Sequence, residues 1–112
     1  GAQVWRRGGA VVVVGRNPDG AALLGALRAD GISAVDVLVV TAPGHSTASR
    51  LAPLLDRIPV RLTLAPPRTP VPNAIAATPG SVVTAGPLRI EIAGMGPPLE
   101  VRVGSTRAAG AR

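Results

Sequence analysis

Short hydrophobic runs separated by turn-forming residues follow one another along the chain, which is typical of a small α/β domain. Ala2–Arg6 and Ala10–Val14 are predicted to form two strands. Arg7-Gly8-Gly9 between them favours a hairpin turn, because glycine tolerates positive φ. Since Ala10–Val14 contains no polar position, we expect it to be buried on both faces of its sheet.

The residues after the second predicted strand indicate the start of a helix. Asn17 is suited to cap it, Pro18 to occupy its first position, and Asp19 to lie at the positive end of its dipole. The helix is predicted to stop at Asp30-Gly31, where glycine serves as the carboxyl-terminal cap. The apolar positions at helical spacing are Ala22, Leu23, Ala26 and Leu27.

The stretch Val35–Leu55 predicts a strand, a polar turn and an apolar helix, an arrangement in which α/β folds place their chemistry. Val35–Thr41 is predicted to be a central strand. Pro53 is tolerable only in the first turn of a helix, so we expect the helix to be capped near Ser49 and to reach about Arg57. Its predicted buried positions are Leu51, Leu54, Leu55 and Ile58.

Val60–Ala65 is predicted to be the third parallel strand, at an edge or half-exposed because Arg61 and Thr63 alternate with apolar residues. Pro66–Pro79 contains five prolines and is expected to be a loop or an extended linker. Three further short strands are predicted as an antiparallel meander: Ser81–Thr84, Leu88–Ala93 and Leu99–Val103.

These elements predict an α/β fold in which a mixed sheet with a βαβαβ unit is followed by an antiparallel meander, with both helices on one face. With 112 residues, the chain is expected to be long enough for one core but not for two. We expect residues 1–104 to form a single domain and residues 105–112, which are small and polar, to be a disordered tail.

Composition narrows the possible functions. The chain has no cysteine, which excludes disulfides and thiolate metal sites, and Trp5 is its only aromatic residue, which is too few for binding single strands by base stacking. The longest apolar run, Ala10–Val14, is far shorter than the roughly 20 residues of a transmembrane helix. The chain starts at Gly1 without methionine, which is compatible with a piece of a longer product.

A net charge of +6, from twelve arginines and no lysine, favours nucleic acid or another anionic partner. A second interpretation is compositional, because arginine without lysine beside abundant alanine, glycine, proline and valine is also what a GC-rich genome encodes. The arginines are scattered along the sequence, so both interpretations stay open.

The polar turn Thr41–Ala48 contains Gly44-His45-Ser46, which is similar to the nucleophile elbow of serine hydrolases. Ala48 stands where that pattern needs glycine. His45 is the only histidine, and as the immediate neighbour of the serine it would point away from it. We therefore predict no serine hydrolase.

A zinc hydrolase is also disfavoured, because a catalytic zinc site needs about three protein ligands with imidazole or thiolate prominent. An anion site remains possible on chemical grounds at the start of the second helix. Ser46, Thr47, Ser49 and free backbone N–H groups could hold a phosphate there, with Arg50 nearby. In the competing interpretation, Ser49 only caps the helix and His45 lies in solvent.

The order and spacing of several segments resemble the metallo-β-lactamase-fold domain of ComEC-type competence proteins, which take up DNA across bacterial membranes. The resemblance covers about residues 4 to 93 and implies the fold and a setting on the extracytoplasmic face of a membrane protein. The segments that carry it are Gly9–Val14, Gly15–Asp19, Ala22–Leu24, Leu27-Arg28, Gly31-Ile32, Val35–Thr41, Leu51–Leu55 and Ser81–Ile92.

The departures from this family lie at its functional positions. Where the family's second strand ends in aspartate, a small residue and glycine, this chain has Val14-Gly15-Arg16. Thr41 matches the family's threonine, but Ala42 stands at the histidine that follows it. Ser46 and Thr47 stand where an aspartate-histidine pair binds metal. His45 falls between ligand positions, and the second half of the family domain is missing or reduced to Leu99–Val103.

Our leading hypothesis is a non-catalytic accessory domain of a ComEC-like DNA-uptake membrane protein, with no metal and no other cofactor. Arg16, Arg50 and Arg57, expected near the carboxyl ends of the strands, would contact the phosphates of duplex DNA. A separate, shrunken paralogue would fit equally well. Two other functions stay open: a structural or interaction module without a ligand, and a small rossmannoid domain that binds an anion at the Gly44–Ser49 turn.

Overall fold

The computed structural model describes residues 2–42, 44–69, 71, 73–96 and 98–105. Within these residues the chain forms two helices and eight strands, arranged in two sheets. In chain order the elements are β1 (Ala2–Arg7), β2 (Ala10–Gly15), α1 (Gly20–Ala29), β3 (Val35–Val40), α2 (Thr47–Leu55), β4 (Val60–Ala65), β5 (Ala74–Ala76), β6 (Val82–Ala85), β7 (Leu88–Gly94) and β8 (Glu100–Ser105).

The first five strands form a mixed sheet in the order β1-β2-β3-β4-β5. β1 is antiparallel to β2, and the other neighbours are parallel, with Val12 opposite Val37 and Val37 opposite Leu62. The helices connect the parallel strands, as the predicted βαβαβ unit requires. The three remaining strands form an antiparallel sheet in the order β6-β7-β8, which confirms the predicted meander.

The hairpin of β1 and β2 follows directly from its two glycines. Arg7 pairs with Ala10, and Gly8 and Gly9 between them have φ values of 58° and 83°. Positive φ at both central positions is the turn geometry that matches the twist of the flanking strands. The predicted hairpin is confirmed, and pairing continues to the far end of both strands, where Ala2 lies opposite Gly15.

Two hydrophobic cores lie on opposite faces of the five-stranded sheet, so the expectation that the chain is too short for two cores was wrong. Val11 and Val13 contribute to the core beneath the helices, and Val12 contributes to the core beneath the three-stranded sheet. The second strand is therefore buried on both faces, as its unbroken apolar sequence predicted. Both helices contribute to the same core, which confirms their predicted position on one face.

The first helix begins later than its sequence suggested. Asp19, and not Asn17, occupies the cap position, and its Oδ1 accepts hydrogen bonds from Ala21 N (3.0 Å) and Ala22 N (3.4 Å). Pro18 consequently lies before the helix. Leu23 and Leu27 are buried, whereas Ala22 and Ala26 are exposed, so the inner face is narrower than predicted. Gly31 follows the helix with a φ of 73°, as expected for its carboxyl-terminal end.

The second helix begins earlier than predicted. Its cap position is Ser46 and not Ser49, so Pro53 lies inside the helix, beyond its first turn. The proline is accommodated because it is exposed, while Leu51 and Leu54 on the opposite side are fully buried. The free energy of that apolar packing outweighs the loss of one backbone hydrogen bond at Pro53. The expectation that Pro53 lies in the first turn, with a cap near Ser49, was therefore wrong.

The prolines between residues 66 and 79 do not prevent a strand. β5 lies within the stretch predicted to be a loop or linker, and pairs in parallel with the carboxyl-terminal half of β4, where Thr63 is opposite Ala74. Asn73 has a φ of 61° and precedes this short strand. Because β5 covers only three residues of β4, Arg61 stays exposed at the other half, as predicted, but Thr63 is buried, which corrects its expected exposure.

The three-stranded sheet has an apolar inner face and a polar outer face. Ile90 and Ile92 are buried against β2 and β3, while Glu91 faces outward between Arg89 (3.6 Å) and Arg102 (3.9 Å). A hydrogen bond of 2.9 Å from Leu99 N to Thr41 O joins the start of this last hairpin to the end of β3. β8 continues to Ser105, and the rest of the predicted tail lies outside the described residues.

Across the described part of the chain, neither helix has the length and apolar character needed to cross a membrane.

Candidate functional site

The turns that follow β2 and β3 lie side by side at the carboxyl edge of the five-stranded sheet. Thr41 N donates to Gly15 O (2.8 Å), and Ala42 N donates to Arg16 O (2.9 Å), so the strand pairing continues beyond the strands themselves. The Thr41 side chain is buried, and its hydroxyl group also donates to Gly15 O (3.3 Å). The threonine at the predicted site is thus a structural link between the two turns.

Thr47 is the central polar residue of this edge. Its side chain is completely buried, and its Oγ1 accepts a hydrogen bond from Gly44 N (2.7 Å) and donates one to Asn17 Oδ1 (3.0 Å). The hydroxyl group therefore joins the turn after β2, the turn after β3 and the first residue of α2. Since its proton is already donated to Asn17, Thr47 has no free donor for the anion that the sequence suggested it could hold.

The neighbouring side chains at the start of α2 point outward. His45, Ser46 and Ser49 are all exposed, and Ser49 Oγ donates to Ser46 O (3.0 Å). Ser46 occupies the cap position, but within the described residues its side chain makes no capping hydrogen bond. Of the three hydroxyl groups proposed for an anion, only that of Ser46 is exposed and uncommitted among the described residues.

The three arginines proposed to contact DNA do not lie together. Arg16 directly follows β2, and Arg50 lies in the amino-terminal half of α2, so both are exposed near the carboxyl edge of the sheet. Arg57 follows the other end of α2, two residues before Pro59, whose carbonyl oxygen accepts a hydrogen bond of 2.9 Å from Val35 N at the start of β3. Arg57 therefore lies towards the amino ends of the parallel strands, which corrects its expected position.

A cleft of about 460 Å³ opens at the carboxyl edge, between the ends of β1 and β2 and the start of β8. Arg16 supplies its positive charge, and its walls are polar and apolar in about equal parts. A smaller cleft of about 300 Å³ on the helix side of the same edge includes Arg50 and Asp19, and Ala2 lines both. The lining residues of the larger cleft are Ala2, Gln3, Val14, Gly15, Arg16, Thr41, Leu99 and Val101.

The side chains at this edge do not form a set of zinc ligands. Zinc in proteins is held by imidazole, thiolate and carboxylate groups, usually by at least three from the protein. Among the described residues, no group of three or more histidine, cysteine, aspartate or glutamate side chains is placed to hold a metal ion. At the edge itself the hydroxyl groups of Thr41 and Thr47 are hydrogen-bonded donors within the protein, and His45 is exposed.

Two layers of strands with both helices outside the larger sheet, and polar turns at its carboxyl edge, define a metallo-β-lactamase-like fold. A crystal structure of the metallo-β-lactamase SMB-1 bound to 2-mercaptoethanesulfonate is similar to this chain, with a TM-score of 0.63 and 14% sequence identity. The similarity covers 91% of this chain and 50% of that one, so the chain spans about half the length of the enzyme. No protein-family model and no curated protein sequence matches the chain.

The comparison confirms the fold class implied by the sequence resemblance. Sequence reasoning missed Asn17 as the partner of Thr47, and it missed the cleft residues contributed by β1 and β8. The first omission has a simple cause, because an asparagine beside proline is also a good helix cap. The second could not be read from the sequence, since the cleft exists only when the last strands fold back onto the edge.

Proposed function

We propose that this chain is a non-catalytic, metal-free binding domain with a metallo-β-lactamase-like fold, serving a DNA-uptake membrane protein of the ComEC type. The observation that carries the non-catalytic part is the hydrogen bonding of Thr47. At the position where the resembling family has a metal-binding side chain, a fully buried hydroxyl group joins Gly44 and Asn17. The edge is held together by hydrogen bonds of the protein's own groups, and this function needs no bound ion.

Metal analysis tests this part directly. The purified chain, equilibrated with excess zinc and then passed through a desalting column, is expected to retain far less than one equivalent of zinc by mass spectrometry. Its thermal midpoint is expected to be the same with zinc and with a chelator, since no ligand set couples zinc to folding. Stoichiometric zinc that survives desalting would show that the edge is a metal site after all.

Contact with DNA phosphates is supported by the charge and by the positions of two arginines. Arg16 and Arg50 are exposed at the same edge, and within the described residues neither makes an ion pair, whereas Arg61, Arg89 and Arg102 do. An arginine without an acidic partner is free to neutralise a phosphate and to release its counterions. The association with a membrane protein rests on the sequence resemblance and on the fold that accompanies it.

Titration of duplex DNA at several salt concentrations tests the DNA contact. Contact with roughly four phosphates predicts a slope of about −3.6 for the logarithm of the affinity against that of the salt concentration. The double variant Arg16→Gln and Arg50→Gln is expected to reduce this slope by about 1.8, since two phosphate contacts are lost. Arg57→Gln, at the opposite end of α2, shows whether contact extends along that helix.

The matched control is Arg89→Gln with Arg102→Gln, which removes the same charge from the outer face of the three-stranded sheet, where both arginines flank Glu91. The control variant is expected to retain the slope of the unmodified chain. An equal reduction in both double variants would assign the attraction to net charge alone, and absence of binding at low salt would contradict the proposal.

A small anion at the Gly44–Ser49 turn is the second candidate function, favoured by the exposed Ser46 side chain at the start of α2 with Arg50 in the same half of the helix. A thermal shift with phosphate or nucleotides that disappears in Ser46→Ala would support it. If neither DNA nor small anions bind, the remaining function is an interaction module without a ligand.

A further inference from the structure

The free edges of β1 and β8 are the longest that the described strands leave unpaired, and β1 differs in having its charges confined to one end. β5 has three residues and lies among prolines, and β6 has four residues. β8 has six residues but carries Glu100 and Arg102 on its exposed side. β1 has six residues, contains no proline, and pairs with β2 in an unbroken register from Ala2 to Arg7. Proteins usually blunt such an edge with charge, proline or a bulge.

The side chains along β1 are unusually accessible. Five of its six residues are exposed, and only Trp5 is half-buried, against the core beneath the three-stranded sheet. Val4 in the middle is 40% exposed, although it is a large hydrophobic residue. The charges of the strand are confined to one end, at Arg6 and Arg7. Arg6 is also held to one side, since its Nη1 donates to Asp30 O at the end of α1 (2.9 Å).

The hairpin determines which backbone groups of β1 face outward. In a hairpin with a two-residue turn, the closing pair, here Arg7 and Ala10, is a hydrogen-bonded pair, and such pairs alternate along the strands. Trp5 and Gln3 therefore also direct their N–H and C=O groups towards β2. The groups of Ala2, Val4 and Arg6 point to the free edge.

We propose that β1 pairs with β1 of a second copy of this chain, antiparallel and centred on Val4. In this register Val4 lies opposite the same residue of the second copy, and Ala2 lies opposite Arg6. Every outward N–H and C=O group of the three residues then finds a partner. A twofold axis through the central pair relates the copies, as an isologous dimer requires, and the two five-stranded sheets become one continuous sheet.

The distribution of charge and apolar surface favours a second copy in this direction. The antiparallel register sets each Arg6 against an alanine, whereas a parallel pair of identical strands in register would set arginine against arginine, which is destabilising. It also brings the two exposed Val4 side chains together on the helix side of the sheet, where a β-branched cross-strand pair adds to the pairing. The strand is thus complementary to itself without any change of conformation.

Sedimentation equilibrium of the intact chain tests the dimer. The mass is expected to rise from 11.2 kDa towards twice that value with increasing concentration, between about 10 and 500 µM, as suits a small interface. Val4→Lys places like charges opposite each other at the centre and is expected to weaken the dimer at least about tenfold. Its circular dichroism spectrum and thermal midpoint are expected to match those of the unmodified monomer, since the side chain reaches solvent.

Val82→Lys is the matched control, because Val82 is 42% exposed on a strand of the other sheet. This variant is expected to dimerise like the unmodified chain. The absence of cysteine allows a second measurement that does not depend on a disruptive variant: Val4→Cys is expected to be joined to a second copy by a short bismaleimide, and Val82→Cys is not. A chain that stays monomeric at the highest concentration, or a dimer that Val4→Lys leaves intact, would overturn the proposal.

Discussion

Helices α1 and α2 occupy equivalent places, since each crosses from one parallel strand to the next on the same face of the sheet, but their first turns are held differently. The first turn of α1 is capped locally by Asp19, two and three residues away from the amides it accepts. The first turn of α2 has no side-chain cap within the described residues and is held through Thr47 by Gly44 and by the distant Asn17. The start of α1 is therefore stabilised by a neighbouring residue, whereas the start of α2 is stabilised in part by a residue that approaches it only in the folded domain.

Because of this difference, within the described residues only the first turn of α2 is bonded to the residues of the candidate site. A local cap can be changed without affecting the rest of the molecule. The Thr47 side chain instead connects three segments at the edge that contains the candidate site. A change in the hydrogen bonds of Thr47 would therefore move these segments relative to one another. We expect the loss of the Asp19 cap of α1 to act on stability alone, and substitutions around Thr47 to change the arrangement of the edge as well.

The largest effect is expected where the two helices touch each other. A Cβ atom on Gly20 would overlap the carbonyl oxygen of Arg50 and lie 3.0 Å from Leu51 Cα. Because both are backbone atoms of α2, Gly20→Ala must push the helices apart, and we expect a loss of about 2–3 kcal/mol in the free energy of unfolding, measured in urea. The control is Gly25→Ala in the same helix, where a Cβ atom meets nothing within 4 Å.

That control is expected to act in the opposite direction. Gly25→Ala adds no contact and should stabilise the chain by about 0.5–1 kcal/mol, since alanine loses less backbone entropy in a helix. If Gly20→Ala were neutral or stabilising as well, the close approach of α1 and α2 at that residue would be wrong.

A smaller effect is expected at Thr47. Thr47→Val keeps the shape of the side chain but leaves Gly44 N and Asn17 Oδ1 without their partner, and we expect a loss of about 1–2 kcal/mol because both can be partly rehydrated. Amide hydrogen exchange should also become faster in the first turn of α2 but not in that of α1. Thr47→Ser, which retains the hydroxyl group, is expected to preserve the slow exchange; equal acceleration in both variants would contradict the role of the hydroxyl group.

The smallest effects separate the two cap positions. Asp19→Ala removes two hydrogen bonds to the first turn of α1 and is expected to cost about 1 kcal/mol, or roughly 4 °C in the thermal midpoint of a chain of this size. Ser46→Ala removes a side chain that makes no capping bond and is expected to shift the midpoint by less than about 1 °C. A large loss from Ser46→Ala would mean that Ser46 caps α2 in solution, and the contrast between the helices would disappear.

Much of the fold could be predicted from the sequence because it is determined locally. Gly8 and Gly9 permit the positive φ that a tight hairpin turn needs, and the unbroken valines of Ala10–Val14 need cover on both faces. The alternation in Leu88–Ala93 likewise separates a buried face from a polar one. In each case the local pattern and the tertiary environment favour the same structure.

The wrong predictions concern residues whose role is decided by distant partners. Asn17 is as good a cap as Asp19 in isolation, but its side chain is taken by Thr47. Pro53 lies inside α2 because Leu51 and Leu54 are buried so well that the missing hydrogen bond is tolerated. The three residues of β5 are too few to give a pattern, and they form a strand because β4 offers them an edge.

The sequence indicated the strand, turn and helix that contain these edge residues, but not how their side chains are connected. Thr41, at the end of the predicted central strand, joins the turn after β3 to the turn after β2, a contact that the sequence did not indicate. The separation of Arg57 from Arg16 and Arg50 follows only once α2 is known to run back towards the amino ends of the strands. The number of arginines along a sequence does not show at which end of the sheet each one lies, so it could not indicate which arginines lie close together.

The hydrogen bond between Leu99 and Thr41 joins two segments that lie far apart in the sequence. One whole face of β2 and β3, with Val12, Val37 and Val39, is covered by strands that come after all the strands of the larger sheet. Until β7 and β8 emerge, the nascent chain presents a flat surface of valines to its surroundings, and such late, long-range pairing is slow. A polypeptide truncated before β7 would therefore be expected to aggregate rather than fold.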